Sequence, residues 1–324
     1  MTAQGTFKKS GIPIPIGFTG CEFGDTYFVD YGNGSDSNRG LTPGTAVKTY
    51  SKAYAKTTTN QNDAILVNGS TEVVETSMVD FSKSRTHTFG CNGPFPGAGY
   101  GSGARISLGV TTDATDIATL KNTGVRNTFN GIKFSNSNTL ATNLYTVAEG
   151  GEYARYNNCE IYKSGLLTTD LTAPLLMNGD SSQFYGCTIG DLVNIRGASG
   201  KECPCIMLAR EQIAGKVCRD GWFEDCRILT KAAHVDVCFV YGTGATDVER
   251  SLVFKNPIFI NAVLAAADPA NAINFAAAQT EGQVLLTNPT GLGLTYLGGG
   301  SLGIFVVGVV PTENTSGIAV QIAT

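Results

Sequence analysis

Between residues 129 and 291 the apolar positions arrive in short bursts that follow one phrase. An aromatic or Leu opens it, two polar or small residues follow, a compact residue comes fourth, and a β-forming residue usually sits two places on. The copies are Phe129–Phe134 (FNGIKF), Tyr156–Ile161 (YNNCEI), Phe184–Ile189 (FYGCTI), Phe223–Ile228 (FEDCRI), Phe254–Phe259 (FKNPIF) and Leu286–Gly291 (LTNPTG). Their starts lie 27, 28, 39, 31 and 32 residues apart. A near-constant period in this range marks a repeat architecture in which each unit buries its face against the next. Short β-runs bounded by Asn, Gly and Asp then predict strands stacked at about 4.8 Å. The openers Phe129, Tyr156, Phe184, Phe223 and Phe254 are expected to point inward and stack. The third position, Asn288 in the last copy, is expected to turn a corner, with Asn side chains bonding up and down the stack. The fourth position takes Cys159, Cys187, Cys226, Pro257, Pro289 and one Ile, so it asks for a compact buried group.

The remaining elements are read from local signals. Residues 1–23 are Gly- and Pro-rich and predict an extended arm. Asp25–Asp30 reads as a strand, and residues 31–43 as a turn-rich segment; its carbonyls with Asp30 and Asp36 offer oxygens to Ca²⁺ but lack the spacing of a calcium loop, so it reads as a self-bonded turn. Thr45–Thr58 reads as a helix with Tyr50, Ala53 and Tyr54 inward, and Asp63–Asn68 as the first buried strand. The glycine run at 90–103 is a turn and lacks the pattern of a phosphate loop. The long interval predicts an insertion at about 193–220 that leaves the body as a loop.

At this point the chain resembles a known family. The strand Tyr27–Asp30, the loop GNGSDSNRGLTP, the helix start TAVKT and a strand ending Val67-Asn68-Gly69 are similar to the N-terminal cap of pectate-lyase-like parallel β-helix proteins. They also resemble the openings of many phage spike and head-associated proteins. The motif covers residues 25–70 and the repeat pattern 80–291. The resemblance implies an all-β, right-handed, single-stranded parallel β-helix with an N-terminal cap helix. It divides the chain into an arm (1–24), a cap (25–62), the β-helix (63–291) and an apolar β tail for assembly contacts (292–324). The fold hosts lyases, hydrolases and non-enzymatic viral proteins, so activity does not follow from it.

Composition agrees with an all-β chain. Of 324 residues only 15% are charged and 40 are Gly. The net charge of −4 makes no electrostatic case for nucleic acid, and no apolar run reaches the length of a membrane span. No targeting signal is read at the N-terminus, so folding in a host bacterial cytoplasm is expected. Charge is uneven: residues 201–250 carry 15 charged side chains, and 282–324 carry Glu313 alone. An uncharged β-rich end calls for a covering surface, either a neighbouring molecule or its own final sheet.

Candidate chemistry is sparse. Cys203, Cys205 and Cys218 lack zinc-knuckle spacing, and the stacked cysteines read as small buried hydrophobes. No cofactor and no metal are expected. A glycan lyase needs a Lys or Arg base, and a hydrolase needs paired carboxylates. The densest candidates are Asp220, Glu224, Asp225 and His234. Strand alternation would place Glu224 and Cys226 on one face, with Asp225 and Arg227 on the other. His234 lies beside Asp236 on a segment, 232–240, that alternates like a strand. Both sets read as solvated or structural charges, and the aromatics read as core. The resulting expectation is a non-enzymatic phage structural protein. It would decorate the head surface of a virion, bind the major capsid protein and copies of itself, and form a homotrimer. The alternative is a tail-spike-like polysaccharide depolymerase or receptor-binding spike.

Overall fold

The computed structural model describes residues 8–9, 12–13, 24–91, 103–262, 268–298, 303–307 and 321–322. Among these, three parallel sheets of ten, eight and nine strands run the length of the molecule. Successive coils contribute one strand to each sheet in turn, and the strands between the two ends of a sheet pair with their equivalents in the coils before and after. The chain is a parallel β-helix, with one α-helix among the described residues.

The repeated phrase builds the corner between the first and second sheets. Its openers form one inward column, with Phe129 paired to Tyr156, Tyr156 to Phe184, Phe184 to Phe223 and Phe223 to Phe254. The rings stack at centroid separations of 4.7, 4.6, 4.5 and 4.8 Å. Every third position is left-handed: Gly131, Asn158, Gly186, Asp225, Asn256 and Asn288 have φ between 48° and 64°. Only Gly, Asn and Asp adopt that conformation readily, which explains their monopoly of the slot. Asn288 donates to Asn256 at 3.3 Å, and Asn256 to Asp225 at 3.0 Å, forming part of the expected ladder.

The corner also corrects the strand-alternation reading. Phe223 points in, Glu224 points out, Asp225 turns, and Cys226 points in again. Glu224 and Cys226 therefore do not share a face. Cys159, Cys187 and Cys226 are buried and unoxidised. Each thiol lies 3.4–3.5 Å from the opener carbonyl of the preceding coil. Burial pushes the Cys187 thiol well above its ordinary range.

The helix α1 (Tyr50–Lys56) is shorter than the sequence suggests. Residues 46–49 are held extended, because Val47 bridges to Val29 and Asp36 Oδ1 accepts from the backbone of Lys48 and Thr49. Glu75 then accepts from Tyr50 N at 2.7 Å, and Lys83 Nζ donates to the Tyr54, Ala55 and Thr57 carbonyls. Tyr50, Ala53 and Tyr54 are buried as expected, with Tyr54 stacked on Phe81 at 4.2 Å. Asp30 accepts from Gly32, Asn33 and Asn68, so the loop is a self-bonded turn.

Two expectations about the unrepeated parts change. The segment 193–220 does not leave the body as one loop, since it carries the end of strand Thr188–Arg196 and the third-sheet strand Ile206–Leu208. The extra length is a register shift between Gly190 and Ile195 plus longer turns. The tail likewise continues the coil: Ile304–Val307 pairs with Gln283–Thr287, and Gln321–Ile322 with Tyr296–Gly298. Most of the arm lies outside the described residues, where only Lys8–Lys9 pairing with Ile12–Pro13 is seen. The glycine run at 92–102 lies outside them too.

Candidate functional site

The outer face of the first sheet, with the corner that feeds it, gathers the polar and aromatic side chains excluded from the core. Three positions relative to each phrase opener build it. Three residues before the opener the chain is left-handed, and Arg126, Tyr153, Ser181 and Asp220 follow one another there, with Arg85 below them (φ 49–58°). Of these, Arg126 and Tyr153 are exposed and Arg85, Ser181 and Asp220 are half-buried. One residue before the opener, Thr128, Arg155, Gln183 and Trp222 pair in register; Arg155 is exposed, Gln183 and Trp222 are half-buried, and Thr128 is buried. One residue after it, Asn130, Asn157, Tyr185, Glu224 and Lys255 also pair in register.

These columns make contact. The Arg155 guanidinium lies 4.5 Å from the Tyr185 ring centroid, and Arg126 lies 5.8 Å from Tyr153. The Tyr185 hydroxyl donates to Gln183 at 3.0 Å. Trp222 Nε1 donates to Glu224 at 3.1 Å, and Lys255 pairs with Glu224 at 2.7 Å. Lys255, then the Trp222 N–H, hold the Glu224 carboxyl below its ordinary range. Tyr153 is 56% exposed, which an aromatic of this size reaches only at a surface left open. Among the described residues Arg85, Arg126 and Arg155 have no carboxylate within ion-pair distance.

An ion-pair network borders this face. Arg219 bridges Asp180 (3.1 Å) and Glu249, and Arg250 bridges Asp180 (3.4 Å) and Asp220 (2.7 Å). Ser181 and Ser251 hydroxyls complete Asp180 and Asp220. Each carboxylate here is committed to a cation. Of the four sequence candidates, the structure brings Asp220 and Glu224 to this face. Asp225 belongs to the corner ladder on the other edge of the sheet. His234 lies beyond the second sheet in a turn after Arg227–Ala232, not on a strand, with Nδ1 3.0 Å from Asp236. No general acid–base pair assembles from the four. Among the described residues no group of three or more His, Cys, Asp or Glu side chains is placed to hold a metal ion.

The site residues missed by sequence reasoning are Arg85, Arg126, Tyr153, Arg155, Tyr185 and Trp222. Their signal lay in the columns before and after the openers, which become readable once the phrase is known to be a sheet edge followed by a corner.

No protein-family model and no curated protein matches the chain. Among solved structures it is similar to the pectate lyase Pel9A, with a TM-score of 0.62 and 14% identity over 94% of this chain and 78% of that one. It is also similar to a pectin methylesterase mutant in complex with a hexasaccharide, with a TM-score of 0.54 and 12% identity over 93% of each chain. Likeness at this identity is likeness of fold. The chain shares the parallel β-helix of these proteins, and its arginine–aromatic face lies on the outside of one sheet of that scaffold.

Proposed function

We propose that the protein recognises an acidic polysaccharide laid along the helix axis over the outer face of the first sheet. The observation that carries this reading is the ladder Arg85, Arg126 and Arg155 on successive coils, interleaved with Tyr153, Tyr185 and Trp222. A linear polymer on this face meets a cation without a carboxylate partner on each of three coils. Aromatic faces lie beside these cations, suited to the apolar faces of sugar rings. Arginine is also the side chain that matches a carboxylate bidentately. The fold, shared with a pectate lyase and a pectin methylesterase, is compatible with such a ligand.

Cleavage of the bound polymer is the second reading, favoured by the carboxylates Asp180, Asp220 and Glu249 along the face. Their ion pairs would have to open before any of them could act as acid or base. The capsid-decorating reading, with a trimer on a virion head, drew on the arm and the uncharged tail. Most of the arm lies outside the described residues, and the described tail strands extend the coil. Recognition of a glycan is therefore preferred.

Calorimetry with polygalacturonate, alginate and a neutral glucan tests this. Binding to an acidic polymer but not the glucan is expected, and Arg155→Ala or Trp222→Ala should weaken it about tenfold, roughly 1.4 kcal/mol. Folded protein that binds none of the acidic polymers, or variants that bind as tightly as wild type, would overturn the reading. Appearance of unsaturated uronates or reducing ends in the same mixtures would establish cleavage.

A further inference from the structure

The interior corner at the end of the second sheet holds two buried basic side chains. Lys163 closes the strand Glu160–Lys163; it is 0% exposed, and its Nζ has no hydrogen-bond partner. Arg196 closes the strand Thr188–Arg196 one coil on and is 3% exposed. Its guanidinium donates to the carbonyls of Pro204 at 2.7 Å, Thr172 at 3.3 Å, Lys163 at 3.4 Å and Cys203 at 3.5 Å. Arg196 therefore spans the gap between Lys163 and Thr172. The Thr172 and Thr230 hydroxyls are also buried without partners. Thr230 lies on Arg227–Ala232, the strand that pairs with the Arg196 strand.

The neighbouring carboxylates turn elsewhere. Asp191 accepts from Val193 N, Asn194 N and Asn194 Nδ2. Asp170 accepts from Glu202 N and faces Lys201. Among the described residues no carboxylate is within ion-pair distance of Lys163 or Arg196. Carbonyls accept from Arg196 Nη1 and Nη2 but do not cancel the charge, and arginine cannot shed its proton. Burial of an uncompensated charge is strongly unfavourable.

We propose that this corner binds a small inorganic monoanion of the halide class, held by Lys163 Nζ and the Arg196 guanidinium with the Thr172 hydroxyl as a further donor. The ion would brace the coil where the second sheet shifts register between Gly190 and Ile195. With no anion bound, burial and then the Arg196 charge push Lys163 down to about 7. A bound halide reverses this, so halide binding and proton uptake at Lys163 are coupled.

Thermal unfolding of the full chain at pH 8, with chloride replacing gluconate at fixed ionic strength, tests the proposal. A rise in Tm on the order of 2–4 °C between 1 and 100 mM chloride is expected. It should be absent in Lys163→Met. A bromide-soaked crystal of the wild-type protein gives a readout independent of any variant, with an anomalous peak expected beside Lys163 Nζ. Equal stability in chloride and gluconate, or no bromide at the corner, would overturn the proposal in favour of an uncharged lysine.

Discussion

Single residues in this protein carry roles set by their place in a coil. Asn256, at φ 51°, holds a corner that a Cβ-bearing residue without a short polar side chain resists. Asn256→Ala should cost roughly 1–2 kcal/mol, while Asn256→Gly should cost a few tenths, as read from urea midpoints. Glu149 is the reverse case, a carboxyl fully enclosed by the coil. It accepts from Gly151 N (2.6 Å), the Tyr156 hydroxyl (2.6 Å), Asn122 Nδ2 (2.8 Å) and the Ser182 hydroxyl (3.1 Å). Four donors favour its charge, yet burial wins and its affinity for a proton is raised above the ordinary carboxylate range. In the window between the ordinary and the raised value, the native state holds a proton that the unfolded chain has released. Stability at Glu149 is therefore fully present below the ordinary value and is lost as pH rises through the raised one. Denaturation midpoints across pH 4–8 should show this fall in the wild type and a flatter profile in Glu149→Gln. An unchanged slope in the variant would place its origin elsewhere.

At the scale of elements, the stack of openers is the spine of the core. Phe184 lies between Tyr156 at 4.6 Å and Phe223 at 4.5 Å and is fully buried. Phe184→Ala leaves a cavity between two coils that cannot close without moving both, so a loss of about 3–5 kcal/mol is expected. Urea unfolding measures it, and a loss below about 1 kcal/mol would mean that the coils collapse across the gap. The helix α1 shows a different logic. Its seven residues are too few to persist alone; Glu75 at one end, Lys83 at the other and Tyr54 on Phe81 keep it in place. Glu75 and Lys83 are distant in sequence from the helix they cap. Its extent could not be read locally, whereas its buried face could.

For the whole molecule, axial repetition turns separate residues into lines. Arg85, Arg126 and Arg155 are far apart in the chain but fall on three successive coils, and salt should weaken binding of an acidic polymer to them. The chain by itself determined the coil, because opener, corner and compact slot recur in one order. Each coil needs the same inward aromatic and the same left-handed residue, and those demands are local. The chain also determined the self-bonded loop at Asp30 and the inward face of α1. Tertiary structure alone decided which outward residues converge, since sequence separations of 27 to 41 residues collapse to one strand spacing. It moved Asp225 and His234 away from Asp220 and Glu224. It tied the carboxylates of the outer face into ion pairs, and it placed Ile206–Leu208 inside the third sheet, where the long interval suggested a loop. It also enclosed Lys163 beside Arg196, because the shifted register brings the ends of two second-sheet strands to one corner. Such convergence depends on register between coils, and register is a property of the packed stack.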